Sequence, residues 1–314
     1  METDSINQSG TLSHVLARDG LPLAMETRGP AGAPALLFAH GFGQSRHAWA
    51  RAGQTLAEHG WRSMTFDARG HGDSARLADG GYRLEQFVDD LLTIAHSFAT
   101  PPVLVGASMG GLLGLVAAGE ARPDPFRALV LVDITPRWEA AGVERMLGFM
   151  RAHPRGFASL EEAAAEVAAY LPQRRRRKDR YELAQLLKRG DDGRLRWHWD
   201  PALLDTIAPE AERHQQRLLD AARNIDVPVL LVSGGRSDIV SEDTVAEFLQ
   251  VVPHARHVVV PHATHTLAGD DNAAFTAAIE PFLDALPREG STRSRTLTPT
   301  PLPEGEGLST RGLP

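Results

Sequence analysis

The sequence predicts an α/β protein: a mostly parallel, eight-stranded sheet flanked by helices, with an inserted helical block. Three observations carry this. Short apolar runs without alternation recur along the chain, at 35–39, 103–105, 128–132 and 227–232, as expected of strands buried on both faces of a parallel sheet. Segments of helical apolar period separate most of them. Strands alternating with helices build such a sheet. The chain has 314 residues, enough for one large domain with an insertion.

The first ten residues read as a loose leader. Residues 14–18 and 21–27 flank Asp19-Gly20, which predicts a hairpin with a type I′ turn. A Gly/Pro loop leads to the buried run 35–39, which ends in His40-Gly41-Phe42-Gly43-Gln44-Ser45. The next helix carries Trp49, Leu56 and Ala57 on one side. Strand 62–66 runs into the tight polar turn Asp67-Ala68-Arg69-Gly70-His71-Gly72-Asp73-Ser74. Leu84, Phe87, Val88, Leu91, Ala95 and Phe98 have helical spacing, and Pro101-Pro102 stops that helix.

Val103-Leu104-Val105 then enters Gly106-Ala107-Ser108-Met109-Gly110, and an apolar helix follows. G-x-S-x-G between a strand and a helix is the context of a nucleophile elbow. The turn is tight enough to require small neighbours. It places the Ser108 hydroxyl above the sheet, with the Met109 N–H and the helix dipole facing a developing oxyanion. The bland reading is a serine that only caps the helix.

Strand 128–132 ends at Asp133. From 134 to about 223 the pattern is nearly all helical. Val143, Met146, Leu147 and Met150 share one stripe, and Ser159-Leu160-Glu161-Glu162 reads as a capping box. Arg174 to Lys178 is a basic run, read as a solvated face, and Trp197-His198-Trp199-Asp200-Pro201 is an aromatic turn. Trp197 and Trp199 read as core of this block before substrate wall. Strand 227–232 ends in Ser233-Gly234-Gly235-Arg236-Ser237-Asp238, and the last strand, 257–260, ends in Pro261-His262-Ala263-Thr264-His265. The final helix contains Pro281, which predicts a kink or a split. The expected organisation is a discontinuous core, 11–133 and 225–287, with a helical cap at 134–224. Residues 1–10 and 288–314 are expected to be disordered; the second stretch is rich in Pro, Gly, Ser and Thr.

Ligands of open parallel sheets bind beyond the carboxyl ends of the strands. Ser108, Asp238 and His265 each follow a strand, in the order Ser…Asp…His. Phe42, after an earlier strand, can offer a second oxyanion N–H beside that of Met109. Asp133 also ends a strand and competes with Asp238 as the acid. The family resemblance given below favours Asp238, since G-x-x-D on the penultimate strand is the commoner arrangement among its members. His40 reads as a hydrogen-bonded loop former. His262 and His265 lack a third ligand at metal spacing.

The motifs HGFGQS, DARGHGDS, GASMGG, GGRSDIV and HATHTLAGD together resemble the α/β-hydrolase family, over about residues 11–133 and 225–287. The resemblance implies that HG-x carries an oxyanion N–H, that D-x-R-G-x-G-x-S is a structural turn, and that the other motifs supply Ser, Asp and His. It points to the serine-nucleophile, lidded, esterase- and haloperoxidase-like branch. Ser108 stands where epoxide hydrolases and haloalkane dehalogenases have a carboxylate. Thr266 follows the histidine where aromatic C–C hydrolases commonly have Trp, and Gly43 stands where the haloperoxidase group often has Pro.

The expectation is therefore a serine hydrolase of ester-like bonds in a small, largely apolar substrate, needing no metal or organic cofactor. The alternatives are C–C hydrolysis or perhydrolysis on the same residues, and a slow-turnover ligand receptor. A net charge of −7 argues against nucleic acid or an anionic membrane as partner. The chain has no cysteine, so neither disulfides nor thiolate metal sites hold it together. METDSINQSG lacks the apolar core of a secretory leader and no run reaches membrane-span length, so a cytoplasmic location is expected.

Overall fold

The computed structural model describes residues 10–172, 180–206, 213–267 and 272–287. Of the stretches expected to be disordered, 1–10 and 288–314, all but Gly10 lies outside them, as does the basic run Arg174 to Lys178. The chain begins with β1 (Thr11–Leu16), β2 (Pro22–Arg28) and β3 (Ala35–Ala39). A 3₁₀ turn (Arg46–Trp49) then leads into α1 (Ala50–Glu58), β4 (Arg62–Phe66), α2 (Leu84–His96), β5 (Val103–Ala107), α3 (Met109–Glu120) and β6 (Ala128–Val132). After β6 come α4 (Ala140–Arg151), α5 (Leu160–Tyr170), α6 (Arg180–Ala184), β7 (Leu187–Arg189), β8 (Leu195–Trp197) and α7 (Gln215–Arg223). The chain closes with β9 (Val229–Gly234), α8 (Glu242–Val251), β10 (Arg256–Val260) and α9 (Asn272–Asp284).

Eight strands form one sheet in the order β1-β2-β4-β3-β5-β6-β9-β10. Only β2 runs against its neighbours; the pairs from β4 to β10 are parallel. The five central residues of β3, β5 and β6 are buried throughout. Their alternate residues serve two cores. Leu36 and Phe38 join Trp49, Leu56, Phe275 and Ile279 on the α1/α9 face, while Leu37 and Ala39 join Phe87, Leu91, Leu115 and Phe248 on the other. A period of two with both faces apolar is why these strands show no alternation in sequence.

Two local expectations change, and the kink or split expected at Pro281 is narrowed by the absence of a split. The β1–β2 loop is not a two-residue type I′ turn. Ala17 and Leu21 close it through Ala17 N to Leu21 O at 2.8 Å, Gly20 N donates to Ala17 O, and Gly20 takes φ 82°. That is the three-residue loop with glycine in the left-handed position. The stretch between β6 and β9 is not nearly all helical, because β7 and β8 pair antiparallel around the Asp191-Asp192-Gly193 turn. Helix α9 accommodates Pro281 within one continuous run instead of splitting there.

The turn after β4 locks the loop after β3 in place. Asp67, fully buried, accepts from the Arg46 backbone N–H at 2.6 Å and the Asp73 N–H at 2.8 Å, and pairs with the Arg46 guanidinium. Ser74 Oγ donates to Asp67 O and accepts from Ala24 N at 2.9 Å, which ties in β2. Arg69 reaches the Asp90 carboxylate of α2 through two hydrogen bonds of 2.6 and 2.7 Å. Burial raises the Asp90 pKa to about 6 even against this guanidinium.

Candidate active site

The turn between β5 and α3 is forced by close backbone approach. A Cβ on Gly106 would lie 2.6 Å from Gly110 O, and one on Gly110 would lie 2.4 Å from Ala39 O. Ser108 between them takes φ 45°, ψ −116°, a region that non-glycine residues rarely enter and that is held only where the surroundings over-determine it. Its N–H donates to Val132 O at 3.1 Å, fastening the turn to β6. Met109 is the first residue of α3, so its N–H has no intrahelical acceptor.

The loop after β3 approaches from one side. His40, buried, has Nδ1 2.8 Å from Gly41 O, and its Nε2 accepts from Ala68 N at 2.9 Å. This is the loop-forming role expected of it. Gly41 N donates to Gln44 Oε1 at 3.0 Å and Gly43 N to His71 Nε2 at 3.3 Å. Between these two occupied amides stands the Phe42 N–H. Burial drives the His71 pKa well down, which keeps the ring neutral and its Nε2 an acceptor.

His265 follows β10, with its Nδ1 2.9 Å from Asp133 Oδ2. Here the structure differs from the expected pairing: the carboxylate beside His265 is that of Asp133, not that of Asp238. Asp133, at the end of β6, is fully buried and in the left-handed region at φ 50°. Its Oδ1 accepts from Gly234 N at 2.7 Å, and its Oδ2 from Ser237 Oγ at 2.5 Å as well as facing His265. Asp238 instead pairs with Arg145 of α4. The physical reason lies in the loop after β9. Ser237 turns inward onto Asp133, and its Oγ also accepts from Ile239 N and Val240 N. The chain therefore leaves the sheet edge at Ser237, and Asp238 lies against α4, where its carbonyl would meet a Cβ on Gly142 at 2.1 Å.

Ser108 and His265 line one cavity of about 470 Å³, together with Gly41, Phe42 and Gly43. Met146, Phe149 and Met150 of α4, Val167 and Tyr170 of α5, Leu186, Trp197 and Trp199 complete an apolar wall. Phe149 stacks on Tyr170 with ring centres 4.1 Å apart, and Trp197 meets Phe157 edge to face at 5.0 Å. Trp197 and Trp199 are thus both packed residues and cavity walls. The segment is anchored beside the turn after β4: Gly72 N donates to His198 Nδ1 at 2.9 Å and Asp200 N to Gly70 O at 2.7 Å.

Of the sequence-predicted residues, Ser108, Met109, Phe42 and His265 gather at the carboxyl edge of the sheet, and Asp238 does not join His265. Sequence reasoning missed Ser237 and Gly234 as holders of the buried carboxylate. The G-G-x-S string itself was visible, but which of its residues turns inward was not.

A family model described as alpha/beta hydrolase fold matches residues 34–271. The chain is 31% identical over 272 residues to a 3-hydroxybutyrate-oligomer hydrolase of Cupriavidus necator, covering 82% of this chain and 90% of the relative. It is 29% identical over 259 residues to the esterase Rv0045c of Mycobacterium tuberculosis, covering 80% and 83% respectively. The crystal structure of an E-2-(acetamidomethylene)succinate hydrolase superimposes with a TM-score of 0.78 at 26% identity, over 88% of this chain and all of the other. With the eight-stranded sheet, the serine turn and a match across most of the chain, this protein belongs to the α/β-hydrolase family.

Proposed function

We propose that the protein is a serine hydrolase that cleaves an ester-like bond (carboxylester, lactone or thioester) of a small, largely apolar substrate, using Ser108, His265 and Asp133. The observation that carries this reading is the His265–Asp133 hydrogen bond on the same cavity as a serine held at φ 45°. A buried carboxylate on Nδ1 fixes the histidine tautomer with Nε2 free to act as base. His265 takes the Ser108 proton as the hydroxyl attacks the carbonyl carbon. The Phe42 and Met109 N–H groups bind the oxyanion of the tetrahedral intermediate. His265 then protonates the leaving group, and a water that it deprotonates releases the acyl group from Ser108.

The residues of α4, α5 and β8 serve in this reading as a lid that shields the acyl-enzyme and presents an apolar surface to the acyl chain. Two relatives whose names describe ester-cleaving enzymes support the reaction class. The mechanism uses no metal or cofactor.

Release of p-nitrophenol from acyl esters of increasing chain length, by wild type and Ser108→Ala, tests the proposal. Turnover with a chain-length optimum, and a loss of roughly 10⁴- to 10⁶-fold in kcat on removing the hydroxyl, is expected. Absence of turnover on every ester, or equal rates for the two proteins, would overturn it.

A further inference from the structure

Trp199 brings to the cavity a polar group that the mechanism does not use. Two other tryptophans set the contrast: Trp49 Nε1 and Trp197 Nε1 have no acceptor among the described residues and are sealed away from any accessible surface. Trp199 is 4% exposed, and its Nε1 also donates to no acceptor among the described residues. This nitrogen is not among the sealed ones, and its ring lines the cavity beside Gly43. A buried indole N–H ordinarily has a hydrogen-bond partner. Here the place for that partner is the cavity itself.

The missing side chain of Gly43 gives the indole its position. A Cβ on Gly43 would lie 2.7 Å from Met150 Cε and 3.6 Å from Trp199 Nε1. With about 1.5 Å for the Cα–Cβ bond and about 3.8 Å between consecutive Cα atoms, Nε1 stands within about 9 Å of the Cα of Phe42, the residue whose N–H faces the oxyanion. The donor is also held from the core. Trp199 O accepts from Arg76 Nη2 at 3.3 Å, Asp200 N donates to Gly70 O at 2.7 Å, and Asp200 Oδ2 accepts from the Tyr82 hydroxyl at 2.8 Å. The turn after β4 that fixes the loop carrying Phe42 therefore fixes Trp199 as well. A donor placed in advance gains affinity because little freedom is lost when it is used.

The surrounding wall selects the kind of acceptor. Met146, Phe149, Met150 and Leu186 share this side of the cavity with Trp199 and carry no charge. The charged residues on the cavity stand elsewhere, on β2, α1 and α6, and are paired: Arg28 with Glu26 at 2.6 Å and Arg51 with Glu182 at 3.0 Å. A substrate carboxylate at Trp199 would lose its water without gaining a counter-charge. A hydroxyl would bring a proton of its own to a wall whose sulfur atoms are weak acceptors. An ether or carbonyl oxygen accepts the indole hydrogen and adds neither charge nor donor. We propose that Trp199 Nε1 is a specificity-determining donor for a neutral acceptor oxygen in the substrate's acyl part. The substrate class is then esters of alkoxy-, oxo- or acyloxy-substituted acids, in preference to esters of plain alkanoic acids. This rests on the reading of Ser108 as the reacting residue only for which bond is cleaved; recognition at Trp199 is separable from it.

The test is therefore a binding measurement. Ser108→Ala protein is titrated calorimetrically with methyl esters of matched acyl length: all-carbon chains, the same chains with an ether oxygen at each successive position, and chains ending in a free carboxylate. An oxygen without a partner costs affinity, so most positions are expected to bind more weakly than the all-carbon ester. At one position the ether is expected to bind about three- to tenfold tighter than its neighbours in the series, the range of a net hydrogen bond between neutral groups. That advantage is expected to vanish in Ser108→Ala/Trp199→Phe, which keeps an aromatic face without an N–H, while the order of the other positions is kept. A uniform penalty at every position in Ser108→Ala, or no binding of any ester, overturns the proposal without any change at Trp199. An advantage that survives Trp199→Phe, or tightest binding of the carboxylate-ended series, also overturns it. If wild type hydrolyses none of the esters while the Trp199-dependent advantage persists, the hydrolytic reading fails and the donor site stands.

Discussion

Replacing Asp133 and Asp238 separately by Asn tells apart two carboxylates that the sequence leaves as rivals. Asp133 is fully buried and holds three partners at once: Gly234 N at 2.7 Å, Ser237 Oγ at 2.5 Å and His265 Nδ1 at 2.9 Å. Asparagine keeps the shape but removes the charge, and its NH₂ group can displace the His265 Nδ1–H from its acceptor. The imidazole then loses both its tautomer preference and the counter-charge for its protonated form. In the Ser-His-Asp triad of the serine proteases, the same change lowers kcat by about 10⁴, which corresponds to about 5.4 kcal/mol of transition-state stabilisation at 1.36 kcal/mol per tenfold. The expectation for Asp133→Asn is a loss of that order. Asp238 is 29% exposed and its Arg145 partner 58%. An ion pair so placed contributes about 0–1 kcal/mol, so Asp238→Asn is expected to stay within about fivefold of wild type. The assay is kcat/KM on a short-chain p-nitrophenyl ester, with circular dichroism to show that each variant is folded. A folded Asp133→Asn near wild-type activity, beside an Asp238→Asn reduced a thousandfold, would refute the assignment.

Two further outcomes follow from the same geometry. Burial lowers the pKa of both His71 and His198, the latter to about 3, from an ordinary value of 6.5. Their neutral forms therefore contribute stability that is complete above pH 6.5 and is lost as pH falls toward the folded-state value, because the unfolded chain binds the proton first. Between pH 6.5 and 5 the loss at His198 reaches up to about 2 kcal/mol and His71 adds in the same direction, so the urea midpoint should fall over that interval, and less steeply in His198→Gln; a midpoint constant from pH 7.5 to 5 would contradict this. Gly110→Ala would place a methyl 2.4 Å from Ala39 O, a backbone atom that cannot swing aside; a lowered Tm, with about 1–3 kcal/mol or more of lost stability, is expected, and an unchanged Tm would contradict the close approach.

Much of the fold was legible because its signals are local. The unalternating runs at β3, β5, β6 and β9 follow from burial on both faces, and G-x-S-x-G declares its backbone requirement in its glycines. The choice between the two carboxylates as partner of His265 was not legible, for a matching reason. Asp133 occupies a left-handed position without glycine to mark it, in Val132-Asp133-Ile134. Its role depends on Ser237 and His265, 104 and 132 residues away. Asp238 sits at the commoner sequence position, yet the direction of the chain after Ser237 is set by packing on α4, which no local pattern encodes. Hairpin β7–β8 was hidden by its shortness: three-residue strands, Leu-Lys-Arg and Leu-Arg-Trp, are too brief to show a period of two. The Asp-Asp-Gly between them was the usable signal.

The central claim is that Ser108 is the residue that becomes acylated. The most direct measurement is intact-protein and peptide mass spectrometry after treatment with a fluorophosphonate, which traps an activated serine hydroxyl as a stable phosphonyl ester. The account predicts one adduct per chain, located on Ser108, absent from Ser108→Ala and strongly slowed in His265→Ala and Asp133→Asn. No adduct on the folded wild-type protein, or an adduct on another residue that persists in Ser108→Ala, would contradict it.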